Sequence, residues 1–291
     1  MSLFVKFNLI LILVFAIALV PAAYLSDQLL QTNARTQIVQ NARIMMQTAL
    51  ATRGYTNKQI KPLLAPRLAE EFLPQSVPAY AATEIFNNLR ESNPEYTYKE
   101  AALNPTNPRD RTVDWEADVV NAFRGSESLK ELTGEREGPL GRSLYLARPI
   151  KITDPGCLGC HTTPEIAPAS VVKAYGSNNG YGWKLNEIIG AQIVTVPMAV
   201  PFQMARTAFG TLLASLVGVF VFILVFLNVL LIFFVIRPIK RLSEMADQVS
   251  IGNLDVPDMT VTGTDEVAAL SGSFNRMRIS LTKALKMLES E

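Results

Sequence analysis

The chain has 291 residues, of which 49% are hydrophobic and 18% charged, and its 27 basic and 26 acidic residues leave a net charge of +1. This balance excludes a strongly basic nucleic-acid-binding protein and an acidic disordered chain. The hydrophobic residues are not spread as in a soluble globular protein, because many are concentrated in two blocks, 3–25 and 207–236.

The first block, "LFVKFNLILILVFAIALVPAAYL", predicts a transmembrane helix over residues 7–25, preceded by a short cytoplasmic segment, 1–6. A second interpretation is a cleaved signal peptide, because Lys6 precedes the apolar run and small residues occupy positions 21–23. The apolar run is longer than the usual signal-peptide core of about 7–15 residues. Its length therefore favours an uncleaved anchor.

The second block, 207–236, contains no charged residue and is longer than the roughly 20 residues that a helix needs to cross a bilayer. It predicts a second transmembrane helix. Lys6 precedes the first span and basic residues follow the second at 237–241, so both ends are predicted to be cytoplasmic. Residues 26–206 are then expected outside, on the periplasmic or lumenal side. The sequence thus predicts an integral protein of a cell inner membrane or a thylakoid membrane, in contact with lipid.

Helical and strand patterns alternate in the outer segment. A helical pattern continues from the first block to Tyr55, and four prolines after it predict an irregular stretch. Helical spacing recurs in 81–91 and 112–125, where Trp115 and Phe123 share one face. Segments rich in β-branched and aromatic residues predict strands in "EYTYKEAAL", "RSLYLARPIKI" and "GAQIVTVPMAV". Helices followed by an antiparallel sheet indicate an α+β fold.

The motif "CLGCH" holds both cysteines and the only histidine of the chain. C-x-x-C-H is the attachment signature of c-type haem. Two thiols at this spacing each add to one haem vinyl group, and the adjacent histidine binds the iron as the proximal ligand. Cys157 and Cys160 are therefore the predicted covalent anchors of one haem c, and His161 is its predicted iron ligand. The motif falls in the outer segment, the side of the membrane on which haem c is attached.

Two other functions of this motif are less consistent with the sequence. A structural zinc site needs four ligands, usually with a second Cys or His pair, and the chain contains no other Cys or His. A redox-active C-x-x-C motif is expected near a βαβ unit of the thioredoxin type, and no such pattern is present.

The sixth iron ligand cannot be a second histidine, because His161 is the only one. Methionine, another side chain such as Lys or Tyr, water or an open position remain as alternatives. Met45 and Met46, on the helix that continues from the first span, are the candidate methionines, because methionine is a known haem ligand. Met45 lies on an apolar stripe, whereas Met46 shares a face with Arg43 and Arg53, candidate contacts of the haem propionates. The alternative is that both methionines fill the core.

The segment after the second span, 237–291, is predicted to be helical. Apolar residues follow one another there in alternating steps of three and four, as in a coiled coil. These residues are Val267, Leu270, Phe274, Met277, Leu281, Ala284 and Leu288. A shorter seam of the same kind precedes them in Ile239, Leu242, Ala246 and Val249, and the connector between the seams contains Gly252, Leu254 and Val256.

This segment resembles a HAMP domain. Pro238 of "IRPIK" matches the first helix of that family, and Asp265 and Glu266 of "DEVAAL" match the start of its second helix. The resemblance implies an all-α homodimer, a parallel four-helix bundle that relays displacement of the second span to a downstream domain.

The outer segment resembles the haem-binding Tll0287-like family. The matching words are "RGYTNKQIKPLL", "NPTNPRDR", "ARPIKI", "CLGCHTTPEIAP" and "GYGWKLNEIIGAQIVTVP". The resemblance implies a PAS-like fold and haem attachment at Cys157, Cys160 and His161. Members of the family can draw a second axial ligand from the first helix. This chain has no cysteine there, so the ligand from that helix is not a thiolate.

These features together predict a membrane-anchored haem c sensor, in which redox state or a diatomic gas at the haem is relayed through the second span to a HAMP dimer. No kinase or cyclase pattern follows the tail, so the output is expected from a separate cytoplasmic partner. The alternative is a membrane-bound c-type cytochrome that passes electrons to a redox partner. An enzyme is not predicted, because no second histidine is present to act as a distal acid or base.

Overall fold

A computed structural model describes residues 1–68, 70–258 and 263–289, and this part of the chain forms two compact units. The first unit is Asp27–Ala208. The second combines Met1–Ser26 with Phe209–Glu291. The helices and strands are α1 (Leu3–Tyr55), α2 (Lys61–Leu68), α3 (Pro78–Ser92), β1 (Thr97–Ala102), α4 (Asp114–Gly125), β2 (Leu132–Gly138), β3 (Gly141–Lys151), α5 (Leu158–His161), α6 (Ala169–Tyr175), β4 (Ile188–Pro197), α7 (Ala199–Leu230), α8 (Arg237–Ser250) and α9 (Glu266–Glu289).

The Asp27–Ala208 unit is built on an antiparallel sheet, which has four strands within the described residues, in the order β1-β4-β3-β2. Gln192 of β4 stands opposite Glu100 of β1 on one side and Arg148 of β3 on the other. Because β4 comes last in the sequence, β1 has no partner strand until β4 is in place. Helices and an antiparallel sheet together confirm the predicted α+β class.

Helices cover both faces of this sheet. The α1 stripe predicted around Met45 is buried against one face, together with residues of α3, β1, β3 and β4. Trp115, Val119 and Phe123 of α4 pack against the other face, as their helical spacing predicts. Phe123 is fully buried. The three predicted strands are confirmed as β1, β3 and β4.

Two elements differ from the sequence prediction. β2 has the sequence "LTGEREG", in which glycines and charges hide the strand pattern. It forms because every one of its residues pairs with β3 across a tight hairpin. The stretch after Tyr55 is also more ordered than its prolines predict, since a π-helical turn, Thr56–Ile60, leads directly into α2.

In the described part of the chain, two helices are long and apolar enough to cross a membrane, one near the N-terminus and one that begins at Ala199. Their apolar segments touch within the second unit. The rings of Phe15 and Phe220 stack at 3.7 Å. The side-chain amides of Asn8 and Asn228 donate to each other's oxygen at 2.8 and 2.7 Å.

Replacing Asn8 with Leu is expected to lower the free energy of unfolding by about 0.5–1.5 kcal/mol, because Asn228 then loses both hydrogen bonds to Asn8 in an apolar environment and keeps its bond to the Leu224 carbonyl of its own helix. The double variant Asn8→Leu/Asn228→Leu should cost less than the sum of the single variants. Reversible unfolding in mixed detergent micelles, followed by circular dichroism, measures both. Ser215→Ala is the control, since that hydroxyl donates to Leu212 of its own helix. Strict additivity of the two leucine substitutions would contradict the pairing.

The C-terminal helices α8 and α9 enclose a small apolar cluster of Leu242, Val249 and Phe274, against which Leu254 and Val256 of the connector pack. Asp265 caps α9 by accepting a hydrogen bond from the Ala268 amide at 2.8 Å. Other residues of the predicted α9 seam stay exposed in the single chain, namely Leu270, Met277 and Leu281. The side chain of Leu288, predicted to continue this seam, lies outside the described residues.

Candidate cofactor site around Cys157 and His161

The cysteine motif lies on one helical turn that follows β3. The carboxylate of Asp154 accepts a hydrogen bond from the Gly156 amide at 2.8 Å and starts a 3₁₀ turn, Pro155–Cys157, which continues into α5. Cys157 itself has helical dihedral angles (φ −64°, ψ −35°). Residues three apart on a helix are surface neighbours, so the half-buried, unbridged thiols of Cys157 and Cys160 lie on one side of this turn.

The imidazole of His161 is held on one nitrogen and on one ring face. Its Nδ1 lies 2.8 Å from the carbonyl oxygen of Gly180 and 3.3 Å from Oγ1 of Thr106. The Trp183 ring stacks on it at 3.8 Å with an interplanar angle of 13°. A carbonyl only accepts, so we assign the proton to Nδ1, which leaves the lone pair on Nε2. Burial lowers the pKa of His161, against the effect of the Gly180 bond, so the ring is neutral near pH 7.

Both thiols are protonated at neutral pH. Burial raises the pKa of Cys157, and the nearby Asp154 carboxylate raises it further, while the cations of Lys61 and Arg53 act in the opposite direction. Burial also raises the pKa of Cys160, where Lys61 again opposes the effect. The positive charges of Arg53, in the last turn of α1, and of Lys61, which follows the π-helical turn, therefore both act on the cysteine motif.

Arg53 belongs to a buried polar network on the α1 face of the sheet. Its guanidinium pairs with the carboxylate of Glu100, which is 6% exposed. The Tyr98 hydroxyl donates to Glu100 at 2.7 Å, and the Gln192 amide donates to Tyr98 at 3.2 Å. Burial raises the pKa of Tyr98 and the Glu100 charge adds to this, so Tyr98 remains a donor.

The other residues predicted to contact the haem are not brought to the cysteines. The guanidinium of Arg43 donates to the Glu131 carboxylate, which Arg148 also binds. Met45 and Met46 are buried in the core under α1. Cys157 packs with a different cluster, made of Ala102, Ile152 and Ile189 with Ile150, Leu158 and Trp183.

The sequence did not single out the residues that hold His161. Asn104 and Thr106 belong to "NPTNPRDR", and Gly180 and Trp183 belong to "GYGWKLNEIIGAQIVTVP", two words that carry the family resemblance but to whose residues the sequence assigned no role. Their contacts join segments far apart in the chain, so no local pattern reports them. The available signal for these residues was a proline-rich word before the motif and a glycine-rich word after it.

Asp110, at the end of the same "NPTNPRDR" segment, provides a test by pH. Burial raises the pKa of Asp110 to about 6, against the opposing charge of Arg109, and Glu100 adds to the increase. The folded state therefore binds this proton more tightly than the unfolded state. The resulting stabilisation is complete below about pH 4 and is lost as the pH rises through about 6.

Replacing Asp110 with Asn should raise the free energy of unfolding by about 1–3 kcal/mol at pH 8, and the gain should fall toward zero near pH 4. Guanidinium unfolding followed by tryptophan fluorescence measures this, since both tryptophans lie in the Asp27–Ala208 unit. Asp118→Asn, at an exposed position of α4, is the control. A variant that is less stable than the parent at pH 8 would contradict the argument.

Comparison with known proteins provides the context of this site. A search of curated protein sequences finds no match to the chain. Among solved structures, the crystal structure of the cyanobacterial heme-protein Tll0287 is similar, with 20% sequence identity and a TM-score of 0.39, over 51% of this chain and 92% of that chain.

Two family models match the sequence, the Tll0287-like model at residues 31–197 and the HAMP domain model at residues 230–283. HAMP domains typically function as dimers that relay signals to output domains, so this domain order indicates a membrane sensor. Because the first match covers more than half of the chain, the protein belongs to the Tll0287-like family and carries a HAMP domain after its Tll0287-like domain.

Proposed function

We propose that the protein is a membrane-anchored sensor that carries one covalently attached haem c on Cys157, Cys160 and His161. The observation that carries this proposal is the arrangement of the motif on one helical turn. Both thiols lie on one side of this turn, and the Nδ1–H of His161 donates a hydrogen bond to the Gly180 carbonyl. Metal-binding histidines almost always donate their other ring N–H in this way.

The residues present fit the chemistry of attachment. Each thiol adds across one vinyl C=C bond of the haem: a carbon–sulfur bond forms, the thiol hydrogen moves to the second vinyl carbon, and nothing leaves. The neutral His161 offers Nε2 to the iron without first losing a proton. Arg53 and Lys61 bring positive charge to the motif, which suits the haem propionates. Haem c, when bound, supplies a one-electron redox centre and an iron that a diatomic gas can bind.

We further propose that the two apolar helices cross the membrane with both chain ends in the cytoplasm and the Asp27–Ala208 unit on the periplasmic or lumenal side. β4 ends at Pro197 and α7 begins at Ala199, so a movement of the last strand has a short covalent path to the second span. A HAMP homodimer would cover the exposed α9 residues Leu270, Met277 and Leu281 and pass the change to a cytoplasmic partner. Met45 and Met46 stay predictions for the sixth ligand.

The test begins with full-length protein made together with the c-type maturation machinery. Haem staining on a denaturing gel should show a covalent adduct, and Cys157→Ala/Cys160→Ala should abolish it. His161→Ala should keep the adduct but change the absorption spectrum, because only the iron ligand is lost. The absence of covalent haem in the parent protein would overturn the proposal.

Spectra with and without CO or NO, oxidised and reduced, then separate gas sensing from redox sensing, and Met45→Leu and Met46→Leu test the sixth ligand. Deleting the residues after Ile236 distinguishes a sensor from an electron carrier. The deletion should abolish the signalling output of a sensor while leaving the reduction and reoxidation of the haem unchanged. Signalling that survives this deletion would contradict the HAMP relay.

A further inference from the structure

The proline-rich word "NPTNPRDR", residues 104–111, has no part in haem attachment, yet the fold brings it against the proximal histidine. It follows β1 and reaches the turn after α6 through side-chain contacts. Thr106 Oγ1 lies 3.3 Å from Nδ1 of His161, the same nitrogen that donates to the Gly180 carbonyl. The segment therefore touches the ring nitrogen opposite the one assigned to the iron.

Asn104 holds the Gly180 peptide with both ends of its amide. Its Oδ1 accepts a hydrogen bond from the Gly180 amide at 3.1 Å, and its Nδ2 donates to the Tyr181 carbonyl at 3.1 Å. These bonds fix the backbone on both sides of the Gly180 carbonyl. Two further backbone bonds join the same turn to α5, from Gly182 to Thr162 at 2.9 Å and from Trp183 to His161 at 3.2 Å.

The packing at Gly180 leaves no room for a side chain. Gly180 has a positive φ of 85°, and a Cβ built on it would stand 2.1 Å from Oγ1 and 2.7 Å from Cα of Thr106. Thr106 thus packs against the Gly180 peptide, to which Asn104 is hydrogen-bonded. The direction and distance of the Gly180 carbonyl, as seen from His161, depend on both side chains.

We propose that Asn104 and Thr106 are positioning residues, which fix the hydrogen bond between His161 Nδ1 and Gly180 and thereby set the reduction potential of the haem. This inference rests on the proposed haem attachment and adds a role for residues that do not touch the iron. A strong N–H···O=C bond gives the imidazole more anionic character, so Nε2 becomes a better donor and the ferric state is favoured. Hydrogen bonding around the ligands is one of the ways in which a protein sets the potential of its haem.

Weakening the contacts by which Asn104 and Thr106 hold the Gly180 peptide should therefore favour reduction of the haem. In full-length holoprotein in detergent, Asn104→Ala should increase the equilibrium constant for reduction about tenfold, a rise in potential of ~59 mV for one electron. Thr106→Val should also raise the potential by a smaller amount, and Thr106→Ser, which restores the oxygen, should return it to the parent value.

Potentiometric titration gives the potential. Where the reduced iron is five-coordinate, resonance Raman spectroscopy also gives the iron–histidine stretching frequency, which should fall in the same variants. The matched control is Asn107→Ala, because that amide belongs to the same segment but accepts only from the Arg109 backbone amide. It should leave both quantities unchanged.

The outcomes separate the two proposals. If the parent protein carries no haem, the proposed function fails. If Asn104→Ala and Thr106→Val carry covalent haem with the parent potential and stretching frequency, the positioning role is wrong while attachment stands. An equal shift in Asn107→Ala would also overturn the role, because it would show a general loosening of the segment. Should Asn104→Ala fail to fold, the Thr106→Val and Thr106→Ser pair decides.

Discussion

Replacing Arg53 with Met is expected to lower the free energy of unfolding by about 3–5 kcal/mol at neutral pH, the usual cost of leaving one member of a buried ion pair uncompensated. Glu100 is 6% exposed, and the guanidinium of Arg53 is the cation bound to it. Without that cation, the remaining donor to the carboxylate among the described residues is the hydroxyl of Tyr98, at 2.7 Å. One neutral hydrogen bond does not offset the desolvation of a carboxylate.

The double variant Arg53→Met/Glu100→Gln should recover much of this loss, because the buried charge is removed with its partner. Guanidinium unfolding of the full-length protein in detergent, followed by tryptophan fluorescence, measures the difference. The matched control is Arg43→Met on the same helix. Arg43 is 53% exposed and Arg148 still binds its partner Glu131, so we expect a cost below about 1 kcal/mol. Equal losses at Arg43 and Arg53 would contradict the importance of burial.

Gly180→Ala is the second substitution for which a large effect is expected, about 2–5 kcal/mol. An L-residue with positive φ costs about 1–2 kcal/mol, and forced overpacking costs about 1–3 kcal/mol more. The new Cβ would meet the backbone of Thr106 as well as its hydroxyl, so rotation of the Thr106 side chain cannot relieve the clash. Either the Gly180 peptide or the 104–111 segment must move, and both contact His161.

Gly182→Ala provides the control, since Gly182 also has a positive φ, 81°, but a Cβ there meets nothing within 4 Å. This variant bears the backbone penalty alone, and the difference between the two variants isolates the clash. The same unfolding measurement applies to both, and the holoprotein spectrum of Gly180→Ala should change because the bond to Nδ1 is disturbed. Similar stabilities of the two variants would show that the 104–111 segment can move away from the new Cβ at little cost in free energy.

Periodicity and composition were enough to predict the elements that bury a clear apolar face. The stripe around Met45 and the Trp115–Phe123 face of α4 are both in the core, and three strands were predicted from their β-branched and aromatic residues. The helix start that the HAMP resemblance implies at Asp265 and Glu266 also agrees with the structure, where α9 begins at Glu266. In each of these cases the information is local, because residues within a few turns decide the structure.

Where tertiary contacts decide, the sequence was insufficient. β2 owes its existence to pairing with β3, since its own residues favour no strand. Arg43 and Arg53 occupy equivalent places in a helical pattern, yet Arg43 pairs with Glu131 and Arg53 pairs with the buried Glu100. Spacing alone predicts a haem site at the cysteine motif, and this stays a prediction. The hydrogen bonds that hold Gly180 against His161 could not be predicted, because Asn104 and Gly180 meet only in the folded chain.

The position of β4 in the middle of the sheet also determines the order of events during biosynthesis. A chain that leaves the ribosome or crosses a membrane from its N-terminus exposes Cys157–His161 before residues 188–197 are available. Until those residues arrive, β1 lacks its neighbour and the sheet cannot close, because long-range strand pairing is slow and comes late. Gly180 and Trp183 also come after the motif in the sequence, so at this stage they cannot yet contact His161. If haem c is attached as proposed, both thiols are accessible on an open chain before the sheet is complete.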